Sequence, residues 1–151
     1  MMIGNSSDLS QLICFKLDNE YLGINILNVK AIINPECLIP VSTESEFLDG
    51  VLNFLEEIIP VINLKAMFNL PGQEPPGNSK ILVISINEKT FGFIADDIIE
   101  VIRIPVILPV QSKKTGERNI SRYVKATGKY KSRPLLLLDL EEIISEGALA
   151  F

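Results

Sequence analysis

At 151 residues, with 47% apolar and 22% charged side chains, the chain has the composition of one ordinary folded domain rather than a disordered one. The net charge is −5 and there is no histidine, which excludes Ser-His and Cys-His hydrolysis and removes the commonest metal ligand. No apolar run approaches the roughly 18 residues that span a bilayer, and the opening Met-Met-Ile-Gly-Asn-Ser-Ser-Asp lacks the basic-then-apolar pattern of a signal peptide.

In chain order, Ile13, Phe15 and Leu17 alternate with more polar neighbours and predict a strand, which Asp18-Asn19-Glu20 turns into a second. Val29 to Ile33 fits helix or strand by periodicity, and its β-branched content favours strand. Thr43-Glu44-Ser45-Glu46 has the form of a capping box and predicts a helix of about two turns, with Gly50 placed to stop it. From Gly50 to Leu64 the chain is almost wholly apolar except for Glu56-Glu57, which read as the turn between two strands. Asn63 caps a short helix through Met67, ended by Asn69-Leu70-Pro71.

Residues 71–79 form a connection rich in Pro and Gly. Beyond it Leu82, Ile84 and Ile86 occupy alternate positions, although Ile81 and Val83 blur the pattern, and Asn87-Glu88-Lys89 supplies a turn. Ile98 to Ile104 reads as strand on the same grounds as Val29 to Ile33, and Gln111 to Arg122 as a long loop. Asp139, with Glu142 three residues on, caps a last helix that ends near Gly147. Cys14 and Cys37 are too few for a zinc site or a disulfide framework and read as reduced thiols of a cytoplasmic protein.

The chain also repeats itself. Leu17-Asp-Asn-Glu-Tyr-Leu-Gly-Ile24 matches Ile86-Asn-Glu-Lys-Thr-Phe-Gly-Phe93, and at the same spacing Val29, Ile32 and Ile33 fall on Ile98, Val101 and Ile102. Val61-Ile-Asn-Leu-Lys-Ala-Met-Phe68 then matches Leu137-Leu-Asp-Leu-Glu-Glu-Ile-Ile144. Two such matches in one order predict an internal duplication over residues 11–70 and 80–146, each half a structural unit. Short strands with frequent turns predict a mostly β fold of two small barrels, which at this size must pack on each other and leave a groove between them.

The order Phe15-Lys-Leu-Asp-Asn-Glu-Tyr-Leu-Gly-Ile24, Val29-Lys-Ala-Ile-Ile33, Phe47-Leu-Asp-Gly-Val-Leu-Asn53 and Ile59-Pro-Val-Ile-Asn-Leu64 resembles the CheW-like family of bacterial chemotaxis coupling proteins. Gly92-Phe-Ile-Ala-Asp96, Glu100-Val-Ile-Arg-Ile-Pro105, Val124-Lys-Ala-Thr-Gly-Lys129 and Leu136-Leu-Leu-Asp-Leu140 continue the likeness, which covers roughly Gln11 to Ile144. The resemblance implies two packed five-stranded SH3-like barrels with short helices, with strands open to exchange between them. It also implies a non-enzymatic adaptor, cytoplasmic at membrane-associated arrays, without cofactor, metal or membrane insertion. The partners it implies are the chemoreceptor tip, the regulatory domain of the histidine kinase CheA and other CheW-like domains.

Against the family pattern Gly50, Val51, Asn53, Pro60, Val61 and Leu64 match, while a family Arg is replaced by Leu55, the following Gly by Glu56, and an acid upstream by Ala31. We expect Ala31 and Leu55 to be neighbours that exchanged a charged pair for an apolar contact, and the turn to be reshaped by the lost glycine. The expected partner-binding residues are Val29, Ala31, Ile32, Leu55, Glu56, Val101 and Ile102, of which Val29, Ile32 and Ile102 fit the core equally well.

Two other readings stay open on the sequence. Eight of the fourteen basic residues lie between Lys113 and Arg133, against Glu117 alone, with Tyr123 and Tyr130 among them, a pattern that fits a nucleic-acid-binding small barrel or a solvated loop and strand. Asp96-Asp97 could coordinate a hard cation or simply form a turn.

Overall fold

The structure, a computed structural model, describes residues 10–42, 46–71, 75–105, 107–109 and 120–147. The first half contributes β1 (Ser10–Leu17), β2 (Glu20–Asn25), β3 (Val29–Ile33), β4 (Leu48–Phe54), β5 (Glu57–Ile62) and α1 (Leu64–Met67). The second contributes β6 (Lys80–Ile86), β7 (Lys89–Ala95), β8 (Asp97–Ile104), β9 (Ile107–Pro109), β10 (Val124–Tyr130), β11 (Arg133–Leu138) and α2 (Leu140–Gly147). The two runs that periodicity left ambiguous are the strands β3 and β8.

Both short helices start as the sequence predicts. The Ala66 N–H donates to Asn63 Oδ1 (3.0 Å) and the Glu142 N–H to Asp139 Oδ1 (3.2 Å), so repeat-related residues cap repeat-related helices. After α1, Asn69 takes a left-handed φ of 60°. The Leu70 N–H then reaches the Lys65 carbonyl (2.9 Å) and the Asn69 N–H the Ala66 carbonyl (3.2 Å), a Schellman closure that satisfies two orphan carbonyls of a four-residue helix.

The helix expected before Gly50 is not what stops there. Thr43 to Ser45 lie outside the described residues, and Gly50 lies inside β4. It sits at the shift in register between β4 and β5, with φ 156° and the Ile39 carbonyl only 2.4 Å from where a Cβ would stand. Glycine is needed there because backbone packs on backbone, not to end a helix.

The strands form two sheets, in the orders β8-β1-β2-β11-β10-β9 and β3-β6-β7-β5-β4. Neither half of the chain is therefore a unit by itself. The hairpin β1–β2 is inserted between second-half strands, and β6–β7 between first-half strands. Each insertion is sealed by a short parallel pairing, Leu22 and Gly23 with Leu136 and Leu137, and Gly92 and Phe93 with Val61 and Ile62. A Cβ on Gly92 would stand 3.2 Å from Ile81 Cγ2 and 3.3 Å from the Leu82 carbonyl, so a side chain there would need its neighbours to give by a few tenths of an ångström.

The repeat also explains why the sheets have six and five strands rather than five each. β9 pairs with β10, whereas its counterpart is reduced to one bridge in which Ile39 and Val51 exchange N–H···O bonds of 2.8 Å. Among the described residues neither strand order closes on itself through backbone bonds. Yet β8 and β9, at opposite edges of their sheet, are separated by only two residues in sequence, so that sheet must curl until its edges adjoin. Tyr130 on β10 donates to the Glu100 carboxylate on β8 across this gap.

Three apolar clusters follow. Leu52, Ile59, Val61, Ile81 and Val83 fill the five-stranded sheet, and Leu12, Cys14, Tyr130 and Leu135 the six-stranded one. The largest lies between the sheets and joins Ile13, Phe15 and Leu17 of β1 to Phe91, Phe93 and Ala95 of β7, with the Phe15 and Phe93 rings 5.3 Å apart. The exchanged hairpins are buried on both faces. That is why Ile81 and Val83 break the alternation: they face one core while Leu82 and Ile84 face the other.

Replacing Gly50 with Ala should therefore destabilise the domain by about 1–3 kcal/mol from backbone strain alone, and more from the clash with Ile39. Ala at Gly77, where a Cβ meets nothing within 4 Å, should be close to neutral. Urea denaturation of the two variants measures the difference.

Candidate partner-binding surface

β3 and β8 are repeat-related, and each is an edge strand of its sheet. Near their starts, Val29 and Ile98 pack against the core between the sheets, so both edges run out from that junction. Three positions later the equivalent residues Ile32 and Val101 point outward, with 48% and 47% of their surface exposed. Ala31 and Ile102 are partly buried against the two sheet cores. Of the expected contact residues on these strands, Ile32 and Val101 are thus available to a partner, whereas Val29, Ala31 and Ile102 mainly support the fold.

The hairpin β4–β5 pairs Phe54 with Glu57, so its two-residue loop is Leu55-Glu56 rather than Glu56-Glu57. Both residues take left-handed φ angles, 52° and 68°, the signature of a type I′ turn. The chain adopts the conformation that favours Gly or Asn with Leu and Glu instead, as the loops Asn87-Glu88 and Lys131-Ser132 do with their own residues. Leu55 is 82% exposed and Ile58 beside it 54%. A bulky apolar residue in left-handed backbone and in water is doubly unfavourable, and such strain gathers at sites of function.

Ala31 is partly buried against the Leu52–Val83 core, and Leu55 stands exposed at the tip of the β4–β5 hairpin.

A buried charge cluster, which the sequence reading missed, ties the sheets together. Lys65 on α1, 9% exposed, places its Nζ 3.2 Å from Asp18 Oδ1 and 3.0 Å from Asp96 Oδ1. Asp96 also accepts from the Asp18 N–H (2.8 Å) and donates its own N–H to the Lys16 carbonyl (2.9 Å), joining the β1–β2 turn to the passage from β7 to β8. One Asp of the Asp96-Asp97 pair is thus an ion-pair partner, while Asp97 opens β8. Among the described residues no group of three acidic, Cys or His side chains is placed to hold a metal. The only sequence signal for the cluster was an acid in a turn, Asp18, and a Lys in a capped helix, which do not announce each other.

The described part of the basic block gives no support to a nucleic-acid surface. Tyr123 and Tyr130 are buried and cannot stack on bases. Arg122 bonds Glu146 (2.7 Å) and lies 3.4 Å from Glu142, and Arg133 lies over the Tyr21 ring (4.4 Å) while donating to the Asn19 carbonyl (2.9 Å). Lys113, Lys114 and Arg118 lie outside the described residues.

The family model of the CheW-like domain matches residues 11–148. The chain belongs to the CheW-like domain family. This CheW-like chain is 28% identical to chemotaxis protein CheW of Thermotoga maritima over 139 residues, covering 90% of the chain and 88% of the relative. It is 29% identical to chemotaxis protein CheW of Treponema pallidum over 146 residues, covering 92% and 84%. The crystal structure of the scaffolding protein TtCheW from Thermoanaerobacter tengcongensis superposes with a TM-score of 0.74 at 24% identity, over 87% of this chain and 89% of that one, which shows the shared fold.

Titration of this CheW-like domain is perturbed mainly inside the six-stranded sheet. Burial, and then the nearby Glu100 charge, pushes the Cys14 thiol up to about 11. The hydrogen bond to Glu100 raises Tyr130 to about 12 from 10.0. Because the folded value lies above the unfolded one, that contribution to stability is complete below pH 10 and is lost as pH rises through about 12.

Two outcomes follow for measurement. At pH 8 an alkylating reagent should modify exposed Cys37 quickly and reach Cys14 only after denaturation, as mass spectrometry of the intact chain would show. Replacing Lys65 with Met should cost about 3–5 kcal/mol at neutral pH, because it strands buried carboxylates. Thermal melting of the variant and the parent at pH 7 would test it.

Proposed function

We propose that this chain is a non-catalytic coupling adaptor that joins the cytoplasmic tips of chemoreceptors to the histidine kinase CheA, working in the cytoplasm at membrane-associated arrays. The observation that carries the reading is the CheW-like match across residues 11–148, together with full-length relatives named as chemotaxis proteins. An adaptor needs two faces held in a fixed relation, and the duplicated fold supplies repeat-related edges that expose Ile32 and Val101 on either side of one core. Leu55 and Glu56, at the tip where the family pattern has Arg and Gly, are the residues that set this chain's partner preference. Other CheW-like domains are candidate neighbours in the same assembly. The named surfaces act by contact and complementarity, which set specificity more than raw affinity.

The test is co-sedimentation and kinase activation with receptors and CheA of the same organism, in which failure to bind either partner would sink the adaptor reading. Replacing Leu55-Glu56 with Asn-Gly separates binding from folding. The favoured I′ pair should stabilise the domain by about 1–2 kcal/mol by relieving left-handed strain. It should at the same time weaken binding of receptor or kinase about tenfold, on the scale of one lost apolar anchor. Unchanged affinity for both partners would remove Leu55 from the contact surface.

A further inference from the structure

At the mouth of the five-stranded sheet lies a cavity of about 600 Å³ that neither the strand edges nor the turn at Leu55 use. Its apolar lining includes Leu38 and Ile94, which pack against the sheet core, together with Leu64 of α1 and Leu70 just beyond it. The volume exceeds what one side chain fills and suits a small organic molecule. One wall is charged, where Asp49, Lys65 and Asp96 line the space.

That wall is short of positive charge among the described residues. The Lys65 ammonium already holds Asp18 and Asp96, at 3.2 and 3.0 Å. Asp49 is half-buried at the start of β4, and desolvation raises its pKa against the opposing influence of Lys65. An entering anion would meet two carboxylates and an ammonium already engaged by both its acids. A cation would meet an under-compensated carboxylate, and its apolar body would cover Leu38 and Ile94.

We propose that this pocket is a binding site for a small amphipathic amine, with its ammonium on Asp49 and its hydrocarbon in the mouth of the sheet. The proposal does not rest on the adaptor reading, and its test needs neither receptor nor kinase. Amide resonances of the full chain would be followed at pH 7 during titration with a series of primary amines from butylamine to 4-phenylbutylamine. The isosteric alcohol 4-phenylbutanol and the anion 4-phenylbutanoate serve as controls. Saturable shifts at Asn63, Ala66 and Ile94 are expected for the longer amines, with affinity about tenfold lower for the alcohol and no saturation for the carboxylate.

Asp49→Asn keeps the shape and removes the charge. It should melt no lower than the parent at pH 7 and bind the amine about tenfold more weakly. Ala66→Leu, which narrows the cavity without touching the charges, should weaken all ligands alike. The site is refuted if no amine saturates, if amine and carboxylate bind equally, or if Asp49→Asn leaves the amine's affinity unchanged.

Discussion

Two hairpins, β1–β2 and β6–β7, each leave the half of the chain that encodes them and complete the sheet of the other. Most of the fold depends on this reciprocal exchange. It buries both faces of four strands and creates the core in which Phe15 meets Phe93. It packs Gly92 closely where β7 runs parallel to β5, since backbone and side chains from two strands converge there. A half of this size would be marginal alone, and exchange turns two marginal units into one cooperative body. The Lys65 cluster sits where the exchanged elements cross. A buried ammonium between two carboxylates adds little net stability over an apolar packing, but it penalises any arrangement that separates the three groups.

That rigidity bears on coupling. An adaptor that transmits the state of one partner to another has to keep its faces in fixed relation, and here the edges β3 and β8 both start from the shared core. The residues offered outward, Ile32, Val101 and Leu55, are unfavourable in water, and Leu55 is held in a backbone conformation that leucine resists. Stability by itself would have selected polar residues and an Asn-Gly turn there. Exposed apolar side chains and a left-handed leucine thus cost the fold stability at these positions.

Local chemistry made part of this legible in the sequence. Asn63 and Asp139 announced their helices because a cap is a contact within one turn, and β-branched content identified β3 and β8. The duplication was visible because it preserves residues at fixed spacing, and the resemblance to the CheW-like family added the adaptor role. What stayed hidden was non-local. Gly50 looked like a helix stop because nothing near it in sequence reveals the Ile39 carbonyl. Each half looked like a unit because a strand pattern does not say which sheet it joins. Glu56-Glu57 looked like the turn because polar residues usually make turns, yet the register placed Leu55 there. Asp18, Lys65 and Asp96 gave no joint signal, since charges distant in sequence meet only after folding.

The exchange itself is most directly tested by fragment complementation. The chain would be divided between residues 71 and 75, and each piece followed by circular dichroism and amide spectra, alone and mixed. The account predicts that neither piece folds alone, because each sheet lacks its central hairpin, and that the mixture recovers the spectrum of the intact chain. Native-like spectra from either isolated half would contradict it.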